Sequence, residues 1–333
     1  EDILQTFEGL IREVFQKLVG IDIGPLPRYS YAEVMRAYGS DKPDLRYDLR
    51  WEPVQEWPAR DQIPFLTGKA LYWLWIEGGK ASRRLQDEWQ TIAKSHQISL
   101  AVVQKTPQGI QSSLSKFLSR AEDWEGLPMT GEGLGLLAGV AGEKYAGLGA
   151  LRNAVIKDLA LRPQREWSVL WVLDFPLFER DEESGRLVAA HHPFVHPHPE
   201  DLDRMEQEPL SVRGLAYDLV INGYEIMSGS VRCHTAALQR RVFRQLGLSD
   251  AEMNEKFGFL LEALSYGAPP HGGCAFGLDR WVMLLTGGEN LRDVIAFPKT
   301  ASGADLMLGA PAPLDTDQLR QVLEWIEGRQ PAE

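Results

Sequence analysis

The sequence predicts an α+β protein in which a smaller α+β domain interrupts a larger domain built on an antiparallel sheet. Its 333 residues are more than one compact domain usually holds. Short apolar segments alternate with helical ones between residues 55 and 165, whereas the strongest hairpin signal, Asn222-Gly223, follows much later in the chain. We therefore assign residues 1–54 and 166–333 to the larger domain and residues 55–165 to the inserted one.

The first part of the larger domain contains two predicted helices. Apolar residues repeat at helical spacing over residues 1–20, and Gly20 can end this helix. A Pro-rich linker separates it from a shorter helix that ends at Gly39. A polar loop then follows, with the sequence GSDKPDLR.

The inserted domain, called the middle module below, alternates between the two kinds of element. Helices are predicted over residues 82–98, 109–119 and 144–161. Strands are predicted over residues 98–104 and 133–142, and the second of these is apolar enough to be buried. The pattern predicts a unit with a core of its own.

The hairpin in the last part of the chain carries three charged residues on otherwise apolar strands. A two-residue turn pairs Val220 with Glu225, so Asp218 and Glu225 share one face of the sheet. Arg232 returns to this face only if the strand holds one extra residue, which we expect within residues 228–230. A solvent-facing, salt-bridged hairpin is the alternative, but burying such charges unpaired costs several kcal/mol.

Two further segments could carry chemistry. His191 and His192 follow an apolar strand, and a Gly-rich turn leads through a strand to Arg280 at the start of a helix. An arginine in that position can bind phosphate through its planar guanidinium group. The alternatives are ordinary loop histidines and a surface arginine. The chain contains no P-loop motif, so a nucleotide site here would be of another kind.

Composition limits the class of protein. The net charge of −12 argues against a protein that simply coats nucleic acid. No apolar run approaches the roughly 18 residues of a membrane span, and the acidic first residues do not resemble a signal peptide. Cys233 and Cys274 form no disulfide framework, so we expect a reducing, cytoplasmic compartment. Because residue 1 is Glu, we expect the natural polypeptide to be longer.

Six segments follow one another along the chain: YGSDKPDLR, DFPLFE, HHPF, YDLVINGYE with GSVRCH, PPHGGCAFGLDR and DVIAFPKT. In this order they resemble the bacterial type of aspartyl-tRNA synthetase, a class II aminoacyl-tRNA synthetase. The resemblance implies an antiparallel sheet flanked by helices, interrupted by a GAD-like insertion domain. It also implies a carboxy-terminal portion that contains motif 3 but lacks the anticodon-binding domain and motifs 1 and 2.

The resemblance assigns an aspartate-binding role to several residues. Arg232 would bind the side-chain carboxylate of the substrate, which suits its bidentate geometry. His191 and His192 would lie on a loop over aspartate and its adenylate, with Asp218 and Ser230 beside them. Met227 and Ser228 stand where the family usually has glycine, which changes the shape of this pocket.

The resemblance also implies an ATP site with Mg²⁺. Glu225, with Asp218 near it, would hold the ion on the ATP phosphates, because Mg²⁺ prefers carboxylate oxygens. Arg280 would bind the γ-phosphate and stabilise charge on the leaving pyrophosphate. The remaining ATP-binding residues implied by motif 3 are Gly277, Leu278 and Asp279.

The implied reaction joins L-aspartate to tRNA(Asp) through an aspartyl-adenylate, and the resemblance leaves open whether tRNA(Asn) is also charged. The full-length members of the family are expected to be homodimers with no membrane association. The alternative is a truncated, non-catalytic relative that binds tRNA or a small ligand. Intact His191, His192, Glu225, Arg232 and Arg280 argue against a decayed site.

Overall fold

The computed structural model describes residues 1–327. The α-helices in this range are α1 (Asp2–Val14), α2 (Tyr31–Tyr38), α3 (Arg83–Ser95), α4 (Ala146–Asp158), α5 (Ala236–Gln245), α6 (Asp250–Ser265), α7 (Leu278–Leu285) and α8 (Thr316–Ile326). The strands are β1 (Arg28–Ser30), β2 (Glu52–Pro53), β3 (Ala70–Glu77), β4 (Ser99–Thr106), β5 (Gly109–Ser112), β6 (Gly133–Val140), β7 (Val169–Leu173), β8 (Phe178–Arg180), β9 (Leu187–Ala189), β10 (Ala216–Ile221), β11 (Tyr224–Val231) and β12 (Gly272–Phe276).

The chain divides into two compact units, residues 1–277 and a second unit that begins at Leu278. The first unit contains all of these strands, in two five-stranded sheets and one two-stranded ribbon. Almost all strand pairs are antiparallel, and helices accompany both large sheets. This arrangement confirms the predicted α+β class.

The larger of the two predicted domains is built on the sheet β1-β7-β10-β11-β12, called the central sheet below. Only its edge pair, β1 with β7, is parallel. Strand β10 lies in the middle, and all six of its residues are buried. The predicted turn between β10 and β11 is confirmed, because Asn222 and Gly223 have φ angles of 52° and 85°.

The expected extra residue in β11 is present, but its predicted position within residues 228–230 is wrong. Val220 pairs with Glu225 while Leu219 pairs with Met227, so Ile226 is the unpaired residue. The bulge lies next to the tight turn, where the pairing begins, and the register beyond it is regular. Alternation from there places Arg232 on the same face as Ser230, as expected.

The middle module has its own antiparallel sheet, in the order β2-β3-β6-β4-β5, called the module sheet below. Every residue of β6, which lies in its middle, is buried, as the sequence predicted. Helices α3 and α4 pack on one face through a core that includes Trp89, Leu136 and Leu148. The boundaries of the module at residues 55 and 165 stay a prediction.

The helix predicted over residues 109–119 is wrong. Gly109–Ser112 forms the edge strand β5 instead, and a single 3-10 turn, Ser113–Lys116, follows it. The Ser112 hydroxyl donates to Val102 O at 2.7 Å and accepts from the Leu114 amide at 3.2 Å. A serine that bonds its local backbone in this way favours a turn over a continuous helix.

The second unit contains α7, a 3-10 turn at Leu291–Val294 and α8. Trp281 and Met283 on α7 are buried, whereas Trp325 and Ile326 on α8 are largely exposed. Within residues 1–327, none of the helices combines the length and the apolar character that crossing a bilayer demands.

Candidate active site

The central sheet places a row of polar side chains on one face. Asp218 on β10 pairs directly with Ser228 on β11, and Ala216 pairs with Ser230. Because side chains alternate along a strand, Asp218, Ser228 and Ser230 point to the same side of the sheet. The backbone amide of Arg232 donates to His271 O at 2.9 Å, which fixes the end of β11 beside the loop that precedes β12.

Arg232 contacts His192, one of the two predicted loop histidines. Its Nη1 lies 2.7 Å from Nε2 and 3.1 Å from Nδ1 of the imidazole. Burial, and then the charge of Arg232, lower the pKa of His192 to about 4. The imidazole is therefore neutral near pH 7, and the positive charge beside it belongs to the guanidinium.

His191 points elsewhere, since adjacent side chains diverge. Its ring packs edge-on against Phe175, with centroids 4.8 Å apart. Burial lowers the pKa of His191, and the charges of Glu225 and Asp41 oppose this shift. Both histidines thus stay neutral, and His191 lies on the acidic side of the site.

Asp218 is the most perturbed acid of the predicted set. It is 3% exposed, and its Oδ1 has no hydrogen-bond partner among the described residues. Burial raises the pKa of Asp218 to about 7, the charge of Glu225 adds to the rise, and a hydrogen bond with Ser228 opposes it. The Oγ of Ser230, also buried, likewise has no partner in residues 1–327. Such atoms are the ones a ligand can satisfy.

A cavity of about 510 Å³ opens over this face. Its lining includes four residues of the predicted set, namely His191, His192, Ser230 and Arg232. Two polar residues of the lining, His271 and Cys274, had no predicted role in the site. The register of β11 with β12 was the missing information, because it sets Ser228 beside Ala275 and Gly229 beside Cys274.

Glycines let the two strands approach closely at the floor of the cavity. A Cβ added to Gly229 would lie 2.2 Å from Gly273 O and 2.6 Å from the ring of Tyr217. The hydroxyl of Tyr217 donates to Gly273 O at 2.9 Å. A side chain at residue 229 would therefore push β12 away.

A second cavity, of about 550 Å³, is lined by residues that include Tyr29, Tyr38, Asp48 and Trp167. The volumes of the two cavities are too similar to show which one is the active site. The 510 Å³ cavity alone combines a guanidinium, an imidazole with a strongly lowered pKa and a buried hydroxyl without a partner in the described residues. Perturbed groups of this kind mark functional sites, so we take it as the candidate active site.

The predicted motif 3 residues fall on both sides of the boundary between the two units. The amide of Gly277 donates to Ile226 O at 2.7 Å and so extends the pairing of β11 with β12. Leu278, Asp279 and Arg280 form the first turn of α7 in the second unit. Their part in the site stays a prediction.

The chemistry of this face suits a ligand with both negative and positive groups. Arg232 can bind a carboxylate, whereas Asp218 and Glu225 can bind a cation. Residues 1–327 contain no cluster of three or more His, Cys, Asp or Glu side chains placed to hold a metal. A divalent ion here would need further oxygens from a ligand. Mg²⁺ fits this condition, because it is usually held by one or two carboxylates together with phosphates.

Comparisons with known proteins show the family of this chain. The family model described as tRNA synthetases class II (D, K and N) matches residues 1–301. An aspartate–tRNA(Asp/Asn) ligase of Symbiobacterium thermophilum is 43% identical over 97% of this chain and 58% of its own length. An aspartate–tRNA ligase of Macrococcus caseolyticus is 41% identical over 97% of this chain and 57% of its own length.

Among solved structures, an aspartyl-tRNA synthetase from Entamoeba histolytica is 24% identical, with a TM-score of 0.31. That match covers 46% of this chain and 25% of the other. This chain spans somewhat more than half of the length of the two sequence relatives.

Proposed function

The chain belongs to the class II tRNA synthetases of the D, K and N group, and we propose that its central sheet carries the aspartate-activating site of an aspartate–tRNA ligase. The observation that carries this proposal is the contact of Arg232 with a neutral His192 at the cavity. A fixed guanidinium distinguishes aspartate from asparagine, because the amide cannot supply the second negatively charged oxygen. The names of the relatives support the same substrate.

In the proposed reaction, an α-carboxylate oxygen of aspartate attacks the α-phosphorus of ATP. A new oxygen–phosphorus bond forms, the bond to pyrophosphate breaks, and aspartyl-adenylate results. The acyl group then passes to a hydroxyl at the 3′ end of tRNA(Asp), with release of AMP. The attacking carboxylate is already ionised near pH 7, so the first step needs no general base and depends on positioning and charge stabilisation.

Asp218 and Glu225 would serve the cationic groups of the substrates. With a pKa of about 7 and an Oδ1 without a partner in the described residues, Asp218 ionises more readily when a cation binds beside it. The cation is the ammonium group of aspartate or, together with Glu225, Mg²⁺ carried on ATP. That ion would offset negative charge on the phosphates. Ser230 would donate its hydroxyl to an oxygen of the bound substrate.

The remaining assignments of the family complete the proposal. Arg280, with Gly277, Leu278 and Asp279, would bind the ATP phosphates. The partners would be tRNA(Asp) and a second copy of the enzyme, and the name of one relative extends the proposal to tRNA(Asn). The proposed compartment is reducing and cytoplasmic, as the sequence led us to expect.

The test is aspartate-dependent exchange between pyrophosphate and ATP, measured on the natural polypeptide that contains these residues. We expect Arg232→Ala to lower kcat/KM for aspartate by at least about 100-fold, because a charge-assisted bidentate contact is lost. Arg84→Ala is the matched control, since the Arg84 side chain is 82% exposed on α3. It should leave exchange unchanged.

Two results would contradict the proposal. Full exchange by the Arg232→Ala protein would remove the residue from aspartate recognition. A folded, unaltered protein that shows no exchange with aspartate would instead support the non-catalytic relative that binds tRNA or a small ligand.

A further inference from the structure

Helix α4 of the middle module packs directly against the segment that follows α2. A Cβ added to Gly39 would lie 2.1 Å from the amide nitrogen of Gly149, and one added to Gly149 would lie 2.3 Å from Gly39 O. The two backbones therefore touch, with no room for a side chain between them. The indole nitrogen of Trp51 adds a hydrogen bond of 3.0 Å to Leu148 O.

Arg152 on the same helix holds the loop between these two contacts. It is 2% exposed, and its Nε donates to Leu49 O at 2.5 Å. Its Nη2 donates to Asp44 O at 2.7 Å and to Tyr47 O at 3.2 Å. Three carbonyls of one loop are thus gathered on a single planar guanidinium, an arrangement that lysine cannot reproduce.

The buried position of Arg152 makes its positive charge energetically costly. Burial lowers the pKa of its guanidinium, and the ring of Tyr38 lies 5.3 Å from Cζ. Burying a cation is costly unless hydrogen bonds compensate for the lost water. Nothing in the core of the module itself requires this charge, because all three acceptors belong to residues 44–49.

The loop held by Arg152 contacts the hairpin whose strands carry the candidate active site. Asp44 packs against the hairpin turn, where a Cβ added to Gly223 would lie 3.1 Å from Asp44 Cβ. Helix α2, which leads into the loop, contacts Phe175 through the ring of Tyr31, with ring centroids 5.1 Å apart. Phe175 in turn packs on His191.

The loop also carries charge to the site. Asp41 contributes to the raised pKa of Asp218 and opposes the lowered pKa of His191, and Lys42 opposes the rise at Asp218. These are smaller causes than burial, yet they show that the tip of the loop lies within electrostatic range of both groups. No role was predicted from the sequence for Asp41 or Lys42.

We propose that Arg152 is a positioning residue for the aspartate site, which it serves by fixing residues 40–48 between α4 and the hairpin of the central sheet. The middle module would then be part of the substrate-binding apparatus, although none of its residues need touch the substrate. The identity of the substrate rests on the proposed function.

Hydrogen exchange tests the anchor without reference to activity. In the natural polypeptide, Arg152→Met removes the donors and Arg152→Lys keeps the charge but not the planar group. We expect backbone amides of residues 40–48 to exchange at least ten-fold faster in both proteins, while those of β6 stay protected. Arg83→Met is the matched control, because the Arg83 side chain is 87% exposed on α3 of the same module.

KM values measured by pyrophosphate exchange then distinguish a role of Arg152 in positioning the site from a role in stability alone. We expect Arg152→Lys to raise KM for aspartate about ten-fold, with KM for ATP within two-fold of the unaltered protein. Asp41→Asn and Lys42→Met, whose side chains are 37% and 47% exposed, should fold normally and also change KM for aspartate. These two variants keep the proposal open to refutation if the Arg152 variants fail to fold.

Each contrary outcome has a separate meaning. Faster exchange at residues 40–48 with unaltered KM values would make Arg152 a packing residue only and would overturn the proposal. Unaltered KM values in the Asp41 and Lys42 variants would overturn it as well. If the unaltered protein shows no aspartate-dependent exchange, the proposed function fails, and hydrogen exchange still decides whether Arg152 anchors the loop.

Discussion

The two large sheets differ in how fully their buried polar atoms are hydrogen-bonded. In the module, Gln104 Nε2 lies 2.9 Å from both Gly79 O and Gly133 O, and Trp73 Nε1 donates to Pro128 O at 3.0 Å. In the central sheet, Asp218 Oδ1, Ser230 Oγ and Trp171 Nε1 are buried and have no partner among residues 1–327.

This difference separates a part of the molecule built for stability from a part prepared for a ligand. An unpaired buried polar atom costs about 1–3 kcal/mol, so a sheet that keeps several is less stable than its apolar contacts allow. Even the module keeps one such atom, Trp75 Nε1. The two sheets therefore differ in where these atoms lie: on the central sheet, Asp218 and Ser230 share one face, and Ser230 lines the cavity.

The largest expected effect is on the stability of the module. Leu137 is fully buried in β6, in the cluster on the sheet face opposite α4. We expect Leu137→Ala to lower the free energy of unfolding by about 2–5 kcal/mol, because it leaves a cavity in a closely packed core. Urea denaturation followed by tryptophan fluorescence measures the change.

The same variant also tests whether the two sheets are independent in function. Well below the melting temperature, KM for aspartate should stay as in the unaltered protein, since Leu137 lies away from α4 and Arg152. A loss of less than about 1 kcal/mol would mean that the module core repacks easily and that the contrast between the sheets is overstated.

The next effect comes from the central sheet and has the opposite sign. The pKa of Asp218 is raised to about 7, so the folded state binds a proton that the unfolded state has released. The stability that this protonated acid contributes is complete below pH 4 and is lost as pH rises to about 7. Asp218→Asn removes the penalty, and we expect it to stabilise the protein at pH 8 by on the order of 3 kcal/mol.

Denaturation curves of both proteins at pH 4 and at pH 8 check this prediction. The two stabilities should nearly agree at pH 4 and diverge between pH 4 and 7. At pH 8 the variant should be more stable but defective in aspartate-dependent exchange. A less stable variant at pH 8 would show that Asp218 is paired and ionised, which would contradict its place among the unsatisfied groups.

Local patterns in the sequence predicted much of the fold. The Asn222-Gly223 turn fixed the pairing of Val220 with Glu225, and the apolar run of residues 133–142 indicated a central strand, which β6 confirms. The helix predicted over residues 109–119 was wrong because Ser112 bonds the backbone of β4 and of the turn that follows it, an effect that periodicity does not register.

Sequence patterns predicted the site residues that lie within a single motif. They missed the residues that reach the site only through the pairing of two strands. Arg232 and His192 came from motifs, and the structure brings them together. Cys274 and His271 enter the cavity only through the pairing of β12 with β11, which a single sequence does not specify. Arg152 lies 103 residues from the carbonyl of Leu49 that it binds, beyond the range of any local pattern.

The smallest effect isolates a single hydrogen bond with a matched pair of tryptophans. Trp89 in the module and Trp171 in the central sheet are both fully buried. The indole nitrogen of Trp89 donates to Asp158 Oδ2 at 2.8 Å, whereas that of Trp171 has no partner within residues 1–327. Replacement by phenylalanine removes similar volume at both positions, but it breaks a hydrogen bond only at Trp89.

We expect Trp89→Phe to cost about 1.5–3 kcal/mol more than Trp171→Phe, since hydrogen bonds to charged groups contribute in this range. The difference between their denaturation midpoints, at equal slope, measures it. Equal costs would show that the Trp171 indole is satisfied in solution, by water or by a bound molecule. In that case the central sheet would differ from the module sheet only on the face that carries Asp218 and Ser230.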